Sequence, residues 1–237
     1  MPPCTVEAVF IKICGITSED DALLAVALGA DGLGFVFAPG SPRQVRSSEV
    51  RAIVHRLPPK TPTVGIFRDE RRERVVEIVH SLGLTGAQLH GREHASEVRW
   101  IADRVPLVIW AFRAGDPALA DAADGGASAV LIDAPDPGSG RVFDWSLAEG
   151  APSGVRVVLA GGLDAGNVGD AIRRVRPWGV DVSTGVETEP GSGRKDPIRL
   201  RHFIEAAREA ADEVARDGWI PEPEPGRLYD WRLDPRA

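Results

Sequence analysis

The chain has 237 residues, 43% of them hydrophobic and 27% charged, which is typical of a globular protein that buries a large core. Its formal net charge of −7 disfavours a nucleic-acid partner, because the average field of the protein would repel phosphates. The sequence shows neither a signal peptide nor an apolar run near the roughly 18 residues that span a bilayer, so we expect a cytoplasmic protein with no membrane partner.

Short β-branched runs alternate with longer amphipathic runs from residue 6 to about residue 211. This alternation is typical of βα units arranged around a parallel sheet. Eight strands are predicted, and their nearly continuous apolar character indicates that both faces of the sheet are covered. In chain order the predicted strands are 6–14, 32–37, 63–67, 86–90, 107–112, 129–133, 155–160 and 180–183.

Helices are predicted between these strands, several of them with clear N-terminal signals. Ser18 precedes the apolar run 22–28, Ser47 precedes the run 50–57, and Asp164 precedes the run 168–175. A third helix is predicted at about 70–82, with an apolar stripe and a charged, solvent-facing side, and the final helix at about 197–216.

Eight alternating units are compatible with an open doubly wound sheet as well as with a closed barrel. Glycine-rich turns follow strands seven and eight, at Gly161-Gly162 and Thr184-Gly185, where barrels commonly hold a phosphate group. No G-x-G-x-x-G motif follows the first strand, which argues against a dinucleotide-binding fold. We therefore predict a single-domain α/β protein, a (β/α)8 TIM barrel over residues 1–217.

The last 20 residues, 218–237, differ in composition from the barrel. They contain four prolines together with two tryptophans and a tyrosine. Proline at this density prevents a regular helix, whereas the aromatic rings can anchor a segment on a surface. We expect a Pro-rich irregular C-terminal tail that is either packed on the barrel or disordered.

In a parallel barrel the C-terminal ends of all strands meet at one face, so polar residues at strand ends converge there. The glycine turns and Ser183 offer backbone N–H groups next to helix N-termini, which predicts a phosphate site formed by Gly161, Gly162, Ser183, Thr184 and Gly185. Asp181 either bonds sugar hydroxyls or supports this loop. His90 is interpreted as structural.

The chain has two cysteines, Cys4 and Cys14, which are too few for a disulfide framework and lie outside any Cys/His cluster. We therefore expect no metal. A free cysteine is usually a small core residue, and Cys4 keeps that interpretation. Asp133 ends the apolar strand 129–133, where a carboxyl group is costly unless it is hydrogen-bonded or takes part in chemistry.

These residues stand in motifs that resemble the phosphoribosylanthranilate isomerase family of tryptophan biosynthesis. The matching motifs extend from residue 12 to residue 196 in the order of the family. They are Lys12-Ile13-Cys14-Gly15-Ile16-Thr17, Gly29-Ala30-Asp31, Gly34-Phe35-Val36-Phe37, Ser41-Pro42-Arg43, Gln88-Leu89-His90-Gly91, Gly138-Ser139-Gly140, Phe143-Asp144-Trp145, Gly161-Gly162-Leu163 and Asp181-Val182-Ser183-Thr184-Gly185-Val186-Glu187.

The resemblance implies a cofactor-free aldose-ketose isomerase whose partner is a small phosphorylated aminosugar. Its reaction is the Amadori rearrangement of N-(5-phosphoribosyl)anthranilate. It needs an acid at the furanose ring oxygen and a base at the C2 proton. The resemblance assigns Asp133 as the acid, Cys14 as the base and Arg43 as the ligand of the anthranilate carboxylate, with Arg46 as a rival. The loop 134–141 is expected to close over the substrate.

Two physical requirements follow from these roles. A thiol acts as a base only near a positive charge or a backbone dipole. Lys12 is a poor candidate for that charge, because its side chain faces the barrel interior and needs a partner of its own. Asp133 must hold its proton near neutral pH, so burial should raise its pKa. Asp136, in the following loop, is the more natural capping residue.

Three alternatives remain open. The histidine-pathway barrel performs the same chemistry with aspartate as base, so Cys14 counts against it. A barrel such as indole-glycerol-phosphate synthase needs lysines at several strand ends, and this chain has Lys12, Lys60 and Lys195. A barrel that has lost its activity and serves as a scaffold is the third. Arg68 and the bulky end of strand five depart from the family pattern, which leaves the exact aminosugar open. We expect either a monomer or a homodimer.

Overall fold

A computed structural model describes residues 9–134, 145 and 154–219. Within these residues eight parallel strands form a closed barrel in chain order, with the first strand paired to the last. The strands are β1 Phe10–Ile13, β2 Gly32–Val36, β3 Thr63–Phe67, β4 Gly86–Leu89, β5 Leu107–Arg113, β6 Ala129–Asp133, β7 Val157–Leu159 and β8 Gly179–Val182. The predicted TIM barrel is therefore confirmed.

The described connections contain six α-helices on the outside of the barrel. They are α1 Glu19–Ala27, α2 Ser47–Arg56, α3 Arg72–Leu82, α4 Ala95–Ala102, α5 Val168–Val175 and α6 Pro197–Arg216. The link from β5 to β6 is instead a 3₁₀ segment, Pro117–Gly125, which ends at the left-handed Gly126. Asp116 caps this segment by accepting a hydrogen bond from the Ala118 N–H, and Pro117 occupies its first turn.

Local sequence signals explain where the helices begin. Ser18 caps α1 by accepting a hydrogen bond from the Asp21 N–H, and Asp196 caps α6 by accepting from the N–H groups of Ile198 and Arg199. Helix α3 begins at Arg72 rather than at the predicted residue 70, because Arg71 has extended backbone angles. The aspartate that was expected to open α5, at position 164, lies in the preceding turn instead.

Alternate residues of the strands face the barrel interior. The inner apolar cluster consists of Val64, Leu107, Ile109, Ala111, Ala129, Leu131, Val158 and Ala160. At the N-terminal end the rings of Phe10 and Trp178 stack with centroids 4.8 Å apart, and the Arg156 guanidinium lies 5.0 Å from the Trp178 ring. These groups fill the N-terminal end of the barrel interior.

Several sequence predictions fall outside the described residues. Cys4, Asp136 and the start of the first predicted strand are among them, as are residues 135–141 of the predicted closing loop. Helix α6 ends before Gly218, and Trp219 packs on the core, while residues 220–237 of the predicted tail are not described. The division into residues 1–217 and 218–237 stays a prediction. Within the described ranges, every helix is too short or too polar to cross a membrane.

Candidate active site

A cavity of about 1050 Å³ lies at the C-terminal ends of the strands. It brings together the side chains and turns that the strand-end argument selected. Its lining includes Cys14, Arg43, His90, Asp133, Gly161, Gly162, Asp181, Ser183, Thr184 and Gly185. All the predicted site residues therefore lie at one face of the barrel.

Cys14 immediately follows β1, and its backbone N–H donates to the Val182 carbonyl oxygen at 2.8 Å. The side chain is buried against Val36 and Ile66. Burial and the nearby Asp181 raise the pKa of the Cys14 thiol, against the opposing effect of nearby lysines. The group is therefore a neutral thiol in the free site at neutral pH.

Lys12 lies one layer below the thiol and is completely buried. Its Nζ atom is 2.7 Å from Asp181 Oδ1, so the partner that the sequence argument required is Asp181. Burial alone would lower the pKa of Lys12, but Asp181 and Cys14 outweigh it and the pKa is raised. Lys12 also favours the thiolate of Cys14. Lys12 has a partner of its own, as expected, and it still acts on the sulfur, although the site as a whole raises the pKa of Cys14.

Asp133 is the last residue of β6 and is 8% exposed. Its Oδ1 atom accepts a hydrogen bond from the Ala134 N–H at 2.8 Å. Burial raises the pKa of Asp133 to about 6, in spite of that hydrogen bond and of Lys12. The direction and the cause agree with the sequence argument for a general acid.

His90 lies beside Asp133, with Nε2 of the ring 3.5 Å from Asp133 Oδ2. Burial lowers the pKa of His90 to about 4, so the ring is neutral at physiological pH and forms no ion pair with the carboxylate there. Gln88 Nε2 lies 3.3 Å from the other ring nitrogen, Nδ1. The strand-end rule predicts His90 and Asp133 at one face of the barrel, and the contact between them is visible only in the structure.

Arg43 is held from below by a buried carboxylate. Its Nε and Nη2 atoms donate to Glu187 Oε1 and Oε2 at 2.6 and 2.8 Å, and Nη2 also donates to Thr184 Oγ1 at 2.9 Å. The two-point edge of the guanidinium is therefore occupied, and Nη1 is the nitrogen left for a ligand. Arg46, the rival, is exposed and paired with Glu49.

Lys195 and Glu187 are buried groups to which the sequence argument gave no role. Lys195 Nζ lies 2.7 Å from the Cys14 carbonyl oxygen, 3.3 Å from the Ser183 carbonyl oxygen and 3.4 Å from Glu187 Oε1. Burial raises the pKa of Glu187, but Arg43 and Lys195 outweigh this effect and hold the pKa below its ordinary value. Glu187 belongs to a matched motif, and that was the one signal available in the sequence.

The two glycine turns meet beside Asp133. Gly161 and Gly162 have φ angles of +85° and +68°, which favour glycine, and a Cβ on Gly185 would collide with the Leu163 carbonyl oxygen. The turn Thr184–Val186 is a short 3₁₀ helix, whose first N–H groups have no acceptor within the turn. Such N–H groups suit an anion. Across the described part of the chain, no cluster of three or more His, Cys, Asp or Glu side chains could hold a metal ion.

Comparison with known proteins gives consistent matches over the barrel. The family model for N-(5'-phosphoribosyl)anthranilate isomerase matches residues 11–206. The N-(5'-phosphoribosyl)anthranilate isomerase of Desulforudis audaxviator is 48% identical over 207 residues, which cover 84% of this chain and 98% of the relative.

Two crystal structures extend this similarity to the fold. The phosphoribosyl anthranilate isomerase of Thermus thermophilus is 40% identical, with a TM-score of 0.78 and coverage of 84% of this chain and 98% of the other. A second phosphoribosyl anthranilate isomerase, in complex with reduced 1-(o-carboxyphenylamino)-1-deoxyribulose 5-phosphate, is 38% identical, with a TM-score of 0.74 and coverage of 85% and 99%.

Proposed function

The chain belongs to the N-(5'-phosphoribosyl)anthranilate isomerase family, and we propose that it catalyses the rearrangement with Cys14 as general base and Asp133 as general acid. The enzyme is an isomerase of tryptophan biosynthesis, and its substrate is N-(5'-phosphoribosyl)anthranilate. The observation that carries the assignment of the two residues is that Cys14 and Asp133 open onto one cavity at the same end of the barrel.

Asp133 suits the first step, the protonation of the furanose ring oxygen. A carboxyl group whose pKa is about 6 keeps a useful protonated fraction near neutral pH, and burial is the main cause of that value. As the ring oxygen takes the proton, the C1–O bond breaks and the anthranilate nitrogen supplies the electron pair of the new C=N bond. The product of this step is an open-chain Schiff base, and Asp133 is left as the carboxylate.

Cys14 suits the second step, the removal of the C2 proton. The Schiff base makes this proton more acidic, because the electron pair of the broken C–H bond moves towards the C=N group. The thiolate takes the proton, and the resulting enol-amine becomes the ketose when its hydroxyl proton leaves and C1 is protonated. Substrate and product are isomers, so no redox cofactor is needed.

The resting protonation state is the reverse of the reactive one. At neutral pH most molecules carry a thiol at Cys14 and a carboxylate at Asp133, since the pKa of the thiol is raised and that of the carboxyl is about 6. Transfer of one proton from the thiol to the carboxylate produces the thiolate and the carboxylic acid together. The reactive form is therefore the minor one at neutral pH.

The two ends of the substrate are anions, and two elements of the cavity suit them. We place the phosphate on the turns at Gly161-Gly162 and Ser183-Thr184-Gly185, whose N–H groups and helix start favour an anion. We place the anthranilate carboxylate on Nη1 of Arg43. Glu187 holds the guanidinium plane in place before the substrate arrives, which reduces the entropy lost on binding. Asp181 is paired with Lys12. Its role, a hydrogen bond to a sugar hydroxyl or support of the loop, stays a prediction.

The test is turnover of N-(5'-phosphoribosyl)anthranilate, followed by the change in anthranilate fluorescence. Cys14→Ser and Asp133→Asn should each lower kcat by at least about 100-fold, the usual size of acid or base catalysis. Cys4→Ser serves as the matched cysteine control and should turn over like the parent. Parent-like turnover in either site variant would remove that residue's role, and an inactive parent would favour the histidine-pathway or scaffold alternatives.

A further inference from the structure

Lys195 is a buried cation for which the proposed mechanism has no role. Its Nζ atom has three neighbours within hydrogen-bonding distance, the carbonyl oxygens of Cys14 and Ser183 and a carboxylate oxygen of Glu187. All three are acceptors, so Nζ must supply three N–H donors, which the ammonium form has and the neutral amine lacks. Burial lowers the pKa of Lys195 below its ordinary value, while Glu187 and Cys14 act against burial. The three acceptors around Nζ select the ammonium form next to the backbone of Cys14.

Two carboxylates and two other cations surround the Lys195 ammonium. Glu187 contacts Arg43 at 2.6 and 2.8 Å, which is closer than its 3.4 Å contact with Lys195. Asp181 is paired with Lys12 at 2.7 Å. The two carboxylates thus neutralise Arg43 and Lys12. Among these five groups Lys195 carries the excess positive charge, and the Asp133 carboxylate lies across the cavity from them.

The thiol of Cys14 has charged neighbours on one side and apolar neighbours on the other. The apolar side is formed by Val36 of β2 and Ile66 of β3, and the Gly34 backbone also approaches the sulfur. Across the cavity lie the neutral ring of His90, after β4, and the carboxylate of Asp133, at the end of β6. The charged side is formed by Lys12 of β1, Asp181 of β8, Arg43 after β2, and Glu187 and Lys195 before α6.

We propose that Lys195 is a positioning residue of the isomerisation, one that fixes the backbone of Cys14 and supplies the excess positive charge beside its thiol. The proposal rests on the proposed function, because Lys195 acts through the base. Its hydrogen bond to the Cys14 carbonyl sets the direction in which the side chain enters the cavity. Its charge favours the thiolate, which the apolar side of the pocket cannot stabilise.

The test measures the thiolate directly. The alkylation rate of Cys14 by iodoacetamide is followed in the full-length chain from about pH 6 to about pH 10, with mass spectrometry of the Cys14 peptide as the readout. In Lys195→Met the alkylation near neutral pH and kcat/KM should both fall about tenfold, the low end of the effect of one opposite charge nearby. Lys60→Met is the matched control. It removes the same charge from an exposed lysine at the other end of the barrel and should change neither rate.

A second variant, Glu187→Gln, should change the alkylation rate of Cys14 in the opposite direction. Glu187→Gln removes the negative charge beside Lys195, so alkylation of Cys14 should become about tenfold faster, even though a less well-held Arg43 slows turnover. Unchanged alkylation in Lys195→Met, or a shift of both variants in the same direction, would overturn the proposal. If Lys195→Met does not fold, slower or unchanged alkylation in Glu187→Gln overturns it alone.

The two proposals fail in distinguishable ways. Full turnover in Cys14→Ser would overturn the proposed base, and with it the link from Lys195 to the reaction. Alkylation does not depend on turnover, so it still reports whether Lys195 charges the site. A shift in alkylation without any change in kcat/KM would likewise refute the catalytic part of the inference.

Discussion

Replacing Asp133 by Asn should stabilise the fold at neutral pH while it removes the proposed acid. Burial is the main cause that raises the pKa of Asp133 from its ordinary 3.8 to about 6, so the folded state disfavours the carboxylate. A rise of about two pKa units corresponds to about 3 kcal/mol, at about 1.36 kcal/mol per unit. The side chain is 11% exposed, so solvent screening reduces this figure little.

The sign of the pH dependence follows from proton binding. The folded carboxyl binds its proton more tightly than the unfolded one, so the folded state holds more protons between pH 3.8 and about 6. The free energy of unfolding therefore falls as the pH rises through this window, and the full cost is present above about pH 6. Asn does not ionise, and its amide oxygen can still accept the Ala134 N–H that Asp133 Oδ1 accepts at 2.8 Å.

Urea unfolding at about pH 7.5 and about pH 4 measures the difference. Asp133→Asn should be about 3 kcal/mol more stable than the parent at the higher pH and nearly equal to it at the lower one. Asp212→Asn, at an exposed position of α6, is the control and should show neither effect. An Asp133→Asn variant no more stable than the parent at neutral pH, or one with the same advantage at both pH values, would refute the burial argument.

Two further substitutions test the geometry of the cavity. Gly161→Ala forces a φ of +85° on alanine and places a methyl group against Ala134 and 2.9 Å from Asp133 Oδ1. It should cost about 1–2 kcal/mol of stability and lower kcat at least about tenfold. Gly83→Ala is the control, because the space around Gly83 is open, and it should lower the stability alone. A Gly161→Ala variant with the kcat of the parent would contradict the close packing at Gly161. Arg43→Lys should raise KM about tenfold, because a lysine cannot bond Glu187 at two points and still present a donor to the anthranilate carboxylate. An unchanged KM would argue against Arg43 as the ligand of that carboxylate.

The sequence predicted the barrel because its strands are short, nearly continuous apolar runs, and the strand-end rule then placed Cys14 and Asp133 at one face. The predicted bounds of β3, β6 and α6 agree with the structure. The connection from β5 to β6 was expected to be a regular helical unit. It is a 3₁₀ segment, Pro117–Gly125, which the repeating pattern of the chain did not indicate.

The buried ion pairs could not be predicted from the sequence. Lys12 and Asp181 are 169 residues apart, and Arg43 and Glu187 are 144 residues apart. Each pair depends on the closure of the barrel, which brings the first strands beside the last. The sequence pattern indicates single charged residues in apolar surroundings but not which residues are their partners. For the same reason the sequence does not identify Asp181 as the partner of Lys12 and predicts no role for Lys195.

Barrel closure and base chemistry are linked through the same register. Lys12 and Asp181 are Cα partners in the β1–β8 pairing, and the next residues lead to the hydrogen bond from the Cys14 N–H to the Val182 carbonyl oxygen. A slip of one residue would turn Cys14 away from the cavity and would separate the buried charges, which costs about 3–5 kcal/mol when one partner is lost. The net contribution of such a pair to stability is often small. We therefore expect its main effect to be selection of the one register in which the thiol enters the cavity.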